Sequence, residues 1–124
     1  MIKIKIIIPA IFILLVISSC KLVEPSNPPK YRIQNYCDYV ADFKIIPAGA
    51  DTIWFNNVQN NTSGDFTNIK EGQVNVIATV QGDSGLYTNN FSAEKNSKYT
   101  VTLHDGAIFG QHIIHLEITG EPNL

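Results

Sequence analysis

After Lys30 the apolar and polar residues alternate with a period of two, and no stretch there carries the 3.6-residue period of a helix. The cleanest case is Gln73 to Gln81: Val74, Val76, Ala78 and Val80 fall on one face, Asn75, Thr79 and Gln81 on the other, and Ile77 breaks the rule. Such a strand belongs to a sheet wet on one side. Lys98 to His104 repeats the pattern, with Tyr99, Val101 and Leu103 inward and Thr100, Thr102 and His104 outward. Ala41, Phe43 and Ile45 precede the breaker Pro47-Ala48-Gly49, and Tyr31, Ile33 and Cys37 mark a strand over Lys30 to Tyr36. In Asp51 to Val58, Ile53 and Phe55 share a face. Asp65 to Ile69 and Leu86 to Phe91 are shorter strands. The last, Gln111 to Thr119, sets His112, Ile114, Leu116 and Ile118 against Ile113, His115, Glu117 and Thr119.

Turn residues punctuate these runs. They are the Asn-rich stretch Asn56 to Gly64, Glu71-Gly72, Gly82-Asp83-Ser84-Gly85, Glu94 to Ser97, and Asp105-Gly106, which predicts a tight hairpin turn. About seven or eight strands at intervals of roughly 8 to 12 residues predict an all-β fold, an antiparallel immunoglobulin-like β-sandwich, with a small β-barrel as the alternative. The paired Cys and central Trp of an antibody domain are missing, so that likeness concerns architecture alone. One domain over 30–120 is expected, with 121–124 as a C-terminal tail.

The first 20 residues follow a different rule. Lys3 and Lys5 precede an apolar run from Ile6 to Ile17, interrupted by Pro9, and the run closes on Ser18-Ser19-Cys20. Charged start, apolar middle and small residues are the order of a signal peptide, and the run is short of the roughly 20 residues of a membrane span. The stretch resembles the bacterial lipoprotein signal: Ile17 matches its aliphatic position, Ser18 and Ser19 its small ones, and Cys20 the acylated residue that follows the cut. That resemblance implies a signal peptide over 1–19, lipidation (palmitate) at Cys20, and a protein anchored to a membrane without spanning it. Three prolines in Lys21 to Pro29 make 20–29 a lipidated Cys and extended spacer, reaching about 25 to 30 Å at about 3.1 Å per residue. Glu24 is the one acid after Cys20 in this spacer, too few to match the acidic signal for cell-surface export.

Composition narrows the classes further. Cleavage before Cys20 leaves 105 of 124 residues, one domain's worth, carrying seven basic against eleven acidic residues. A formal charge of −4 with no basic stripe argues against nucleic acid. With Cys20 acylated, Cys37 has no intramolecular partner, and a buried inert thiol is expected.

The segments FNNVQNNTSGDFTNIKEGQVNVIATVQ and FSAEKNSKYTVTL resemble an uncharacterised group of envelope lipoprotein domains of Bacteroidota. The shared features are the short aromatic strand at Phe66, Gly72, the alternating strand Val74 to Val80, and the late strand Lys98 to Leu103. The resemblance implies a sandwich in the cell envelope, at the outer membrane, and supplies no catalytic residue.

Candidate chemistry is sparse. His112 and His115 stand on opposite faces of one strand. His104 and His115 both point outward and can meet across a hairpin, with Glu117 nearby, as weak candidates for a surface zinc site. Ser84, His104 and Asp105 compose a nucleophilic triad on paper, but Gly82-Asp83-Ser84-Gly85 lacks the flanking pattern of a nucleophile elbow. Asp65 and Asp83 are isolated, and no calcium-loop run occurs. Asn60-Asn61-Thr62, Asn61-Thr62-Ser63 and Asn90-Phe91-Ser92 match a glycosylation triplet, and Asp51-Thr52-Ile53 resembles the O-glycosylation sequon of Bacteroidota. Trp54 is the better hook. Out of phase with Ile53 and Phe55, it stands on the outer face, where an indole can stack on a glycan or a protein partner. The expectation is a non-enzymatic binding or interaction module without a cofactor. The alternatives are an inhibitor or immunity-type lipoprotein presenting the Asn56 to Gly64 loop, and a small hydrolase.

Overall fold

The computed structural model describes residues 26–108 and 111–124, the side chains of 107, 108, 111 and 112 excepted. Among these residues there are nine strands: β1 (Lys30–Tyr36), β2 (Ala41–Pro47), β3 (Ile53–Val58), β4 (Thr62–Ser63), β5 (Thr67–Asn68), β6 (Gly72–Val80), β7 (Leu86–Ala93), β8 (Ser97–Ile108) and β9 (Gln111–Pro122). One sheet has the order β4-β1-β8-β9, with β5 also paired to β1; the other has the order β3-β2-β6-β7. The two sheets stay separate and do not close, so the fold is a β-sandwich and the barrel alternative falls away.

The alternation seen in the sequence builds the core directly. Tyr31 and Ile33 of β1, Ala41, Phe43 and Ile45 of β2, Val74, Val76, Ala78 and Val80 of β6, and Val101 and Leu103 of β8 are all buried. Each large apolar side chain so buried contributes about 1.5–3 kcal/mol, and these residues supply both layers of the interior. Ile77 sits out of phase because it belongs to the outer face, where it is half-buried.

Every strand pair is antiparallel except one. β1 runs parallel to β8, from Lys30 opposite Lys98 to Tyr36 opposite His104. The first and eighth strands thus lie side by side in the middle of their sheet, a long-range pairing that no local turn dictates.

Three local expectations are corrected. Asp105-Gly106 is not a turn: β8 continues through it, with Asp105 opposite Ile114 and Gly106 opposite Ile113. Gly106 lacks the positive φ that a two-residue hairpin turn demands. The strand expected over Asp65 to Ile69 shrinks to the two residues of β5. The tail expected at 121–124 is strand in its first half: β9 runs on to Pro122, opposite Ser97, and beyond it Asn123 N donates to Asn96 O at 2.8 Å.

The end of the spacer is docked as well. Asn27 N donates to Asn96 Oδ1 at 2.8 Å, its Nδ2 donates to Asn123 O at 2.9 Å, and Asn96 N donates back to Asn27 O. Pro29 is buried and its carbonyl accepts from Ile69 N. Chain entry, chain exit and the β7–β8 turn therefore meet at one end of the sandwich.

Candidate functional site

The outer face of the β3-β2-β6-β7 sheet carries the aromatic residue singled out by the alternation. Phe55 pairs with Phe43 and Ile53 with Ile45, so Trp54 between them turns outward and is 60 % exposed. Its cross-strand neighbour is Lys44, whose neighbour in turn is Ile77, which pairs with Thr88. Trp54, Lys44, Ile77 and Thr88 thus form one row across four strands. The adjacent row brings Asp42, Thr79 and Leu86 together.

These two rows enclose a trough of about 340 Å³ between Trp54 on β3 and Leu86 on β7, with Asp42, Lys44, Ile77 and Thr79 from the strands between. Leu86 is 68 % exposed. Lys44 Nζ lies 4.8 Å from the centre of the indole, a cation–π contact. The Asp42 carboxylate is oriented by Asn57 N, which donates to Oδ1 at 2.7 Å from a residue with φ 56. An exposed indole, a carboxylate, an ammonium and a hydroxyl in one shallow trough can stack on a flat apolar surface and hydrogen-bond around its edge.

His104 and His115 are direct cross-strand partners on the outer face of the other sheet, their rings 3.7 Å apart and inclined at 66°. His104 Nε2 also lies 2.8 Å from Glu117 Oε2. The neighbouring outward row is polar too: Thr102 Oγ1 donates to Gln34 Oε1, and Gln34 Nε2 donates to Ser63 Oγ. Among the described residues no three side chains of His, Cys, Asp or Glu are disposed to hold a metal ion. The side chain of His112 lies outside the described residues.

The paper triad is not assembled. His104 faces outward against Glu117 and His115, while Asp105, next along β8, lines with Ser84 a cavity of about 430 Å³ at the far end of the sandwich. Asp83 lines that cavity as well. Its carboxylate accepts from Tyr87 Oη and from Gly85 N, and these bonds, Tyr87 foremost, hold its pKa below the usual carboxylate range; the same contact pushes the Tyr87 hydroxyl up. Asp65 belongs to the segment beside β1 and shares no site with Asp83.

Of the remaining sequence candidates, Cys37 is buried and unpaired, as expected. Its Sγ donates to Asn35 Oδ1 at 2.9 Å and to Tyr39 O at 3.3 Å, and burial pushes the thiol pKa up. Asp51 is exposed and Thr52 half-buried in the turn before β3. Asn90 is exposed on β7, with its Oδ1 accepting from Gln73 Nε2. The Asn56 to Gly64 loop is pinned at Thr62–Ser63 to Asn35–Gln34 of β1. Cys20 lies outside the described residues.

The alternation left Asn35 unread. It is fully buried, in phase with Tyr31 and Ile33, and its side chain is saturated: Nδ2 donates to Tyr39 O and Val58 O, and Oδ1 accepts from Cys37. A polar residue at a third inward position of a strand was the available signal.

No known protein family matches the chain, and no curated protein matches it.

Proposed function

We propose that the protein is a lipid-anchored lipoprotein of the cell envelope, held at the outer membrane through acylated Cys20. In this reading its sandwich acts as a non-enzymatic binding module whose contact surface is the Trp54 face. The anchor rests on Lys3, Lys5, the apolar run and Ser18-Ser19-Cys20. The single observation that carries the binding role is Trp54, 60 % exposed in a trough that joins apolar Ile77 and Leu86 to charged Asp42 and Lys44. An unburied Trp gains nothing for the core, whereas an indole ringed by hydrogen-bonding groups suits a hydroxyl-rich glycan or a protein surface.

Docking of Asn27 to Asn96 and Asn123 supports a shorter tether than the full spacer. In this reading the anchor holds the chain-entry end of the sandwich, where Asn27 docks, nearest the bilayer. The binding role is tested on a glycan and envelope-protein array with the wild type and Trp54→Ala. Loss of the wild-type signal in the variant is expected; a signal that persists unchanged removes the Trp54 face from the proposal.

A further inference from the structure

The trough beside Trp54 is long and carries charge as well as an aromatic ring. Trp54 on β3 and Leu86 on β7 stand at its two ends, three strand spacings or about 14 Å apart across the order β3-β2-β6-β7. That span, with a volume of about 340 Å³, suits a short run of linked rings better than a single one, since about 150 Å³ already accepts benzene.

Asp42 and Lys44 are two residues apart on β2 and therefore share its outer face. Lys44 is half-buried, with Nζ 4.8 Å from the centre of the indole. Among the described residues Lys95 pairs with Glu71 and Lys98 with Glu121, whereas Lys44 has no carboxylate partner. An unpaired ammonium thus stands at the edge of the stacking surface. Asp42 is exposed, and Asn57 N, donating to Oδ1 at 2.7 Å, fixes its carboxylate. The two groups make opposite demands: a carboxylate only accepts hydrogen bonds and an ammonium only donates them.

Resting on the reading of the Trp54 face as a binding surface, we propose that its ligand is an acidic oligosaccharide, a short chain of uronic acid units. The C–H face of one pyranose ring stacks on Trp54, the carboxylate of that ring pairs with Lys44, and hydroxyls of the chain donate to Asp42. A neutral sugar would stack equally well but would offer Lys44 only hydroxyl oxygens, which bind an ammonium less strongly than a carboxylate does. The mature part carries more acids than bases, so the preference for an anionic sugar rests on Lys44 alone.

The test is a titration of the full-length protein, followed by ligand-observed NMR, with tetrasaccharides of galacturonate, glucuronate and mannuronate, each beside its fully methyl-esterified, uncharged form. At least one acid is expected to bind about twofold to fivefold tighter than its ester at low salt, the range one exposed ion pair supplies, and the gap should close as salt rises. Lys44→Gln is expected to make acid and ester equal while both still bind, and Trp54→Ala to abolish both. Equal binding of acid and ester by the wild type, or a preference that survives Lys44→Gln, would overturn the proposal and leave the Trp54 face a binder of neutral glycans. Binding of neither form, or binding that Trp54→Ala leaves unchanged, would overturn the proposal together with the glycan reading of that face.

Discussion

Asn35 and Cys37 close a buried hydrogen-bonded corner at the end of β1: the Cys37 amide and thiol both donate to Asn35 Oδ1, at 3.1 and 2.9 Å. The Asn35 amide nitrogen meanwhile ties down the carbonyls of Tyr39 and Val58. One side chain thus joins β1, the loop into β2 and the end of β3. Asn35→Leu strips partners from four buried or half-buried groups and should cost about 2–4 kcal/mol, the penalty of leaving such groups unmet. Urea unfolding of the two proteins measures it.

The thiol should be inert while the domain is folded. Burial raises the Cys37 pKa, with Asp105 and Asp38 adding to the effect. Iodoacetamide at pH 8 should leave native Cys37 unmodified and label it once guanidinium unfolds the chain. The sign of the pH effect follows from the raised folded pKa. Its contribution to stability is whole below the ordinary thiol value of about 8.5 and is lost as pH rises through the folded value. The urea midpoint should therefore fall in alkali, and fall less in Cys37→Ala.

Trp54 is the sole tryptophan, so its emission reports on one place. With the indole 60 % exposed, emission should be that of a solvated ring and open to soluble quenchers. The Lys44 ammonium 4.8 Å away should make iodide quench better than caesium, a bias that Lys44→Ala removes. Trp54→Ala should shift stability by no more than about 0.5 kcal/mol, as for a surface site outside the core.

Asp83 gives the pH dependence at the acid end. The Tyr87 hydroxyl, then the Gly85 amide, favour its charged form, so its carboxyl should titrate below the usual aspartate value of about 3.9. A depressed folded pKa contributes stability above the unfolded value and loses it as pH falls through the folded one, so the effect appears below about pH 4. Carbon-detected NMR titration should show the low midpoint in the wild type and a rise toward the usual value in Tyr87→Phe.

Much of the sandwich was legible because burial on one side of a sheet imposes a period of two. Val74 to Val80, Tyr99 to Leu103 and Ala41 to Ile45 face inward as their alternation demands, and the same parity sets Trp54 outward and His104 beside His115. Ile77, an exception to the alternation, marks the outer trough. The parallel pairing of β1 with β8 was not legible, because parity says which face a residue takes and nothing of which strand lies alongside. Asp105-Gly106 misled for a related reason: a dipeptide's turn preference is local, and the ladder from Ser97–Pro122 to Ile108–Gln111 outweighs it.

The most direct test of the lipoprotein reading is radiolabelled palmitate incorporation with membrane fractionation, comparing the full-length protein with Cys20→Ala. The reading predicts a labelled, membrane-bound wild type and an unlabelled variant released from the membrane fraction with its sandwich intact. A variant that still takes up label and sediments with membranes would contradict it.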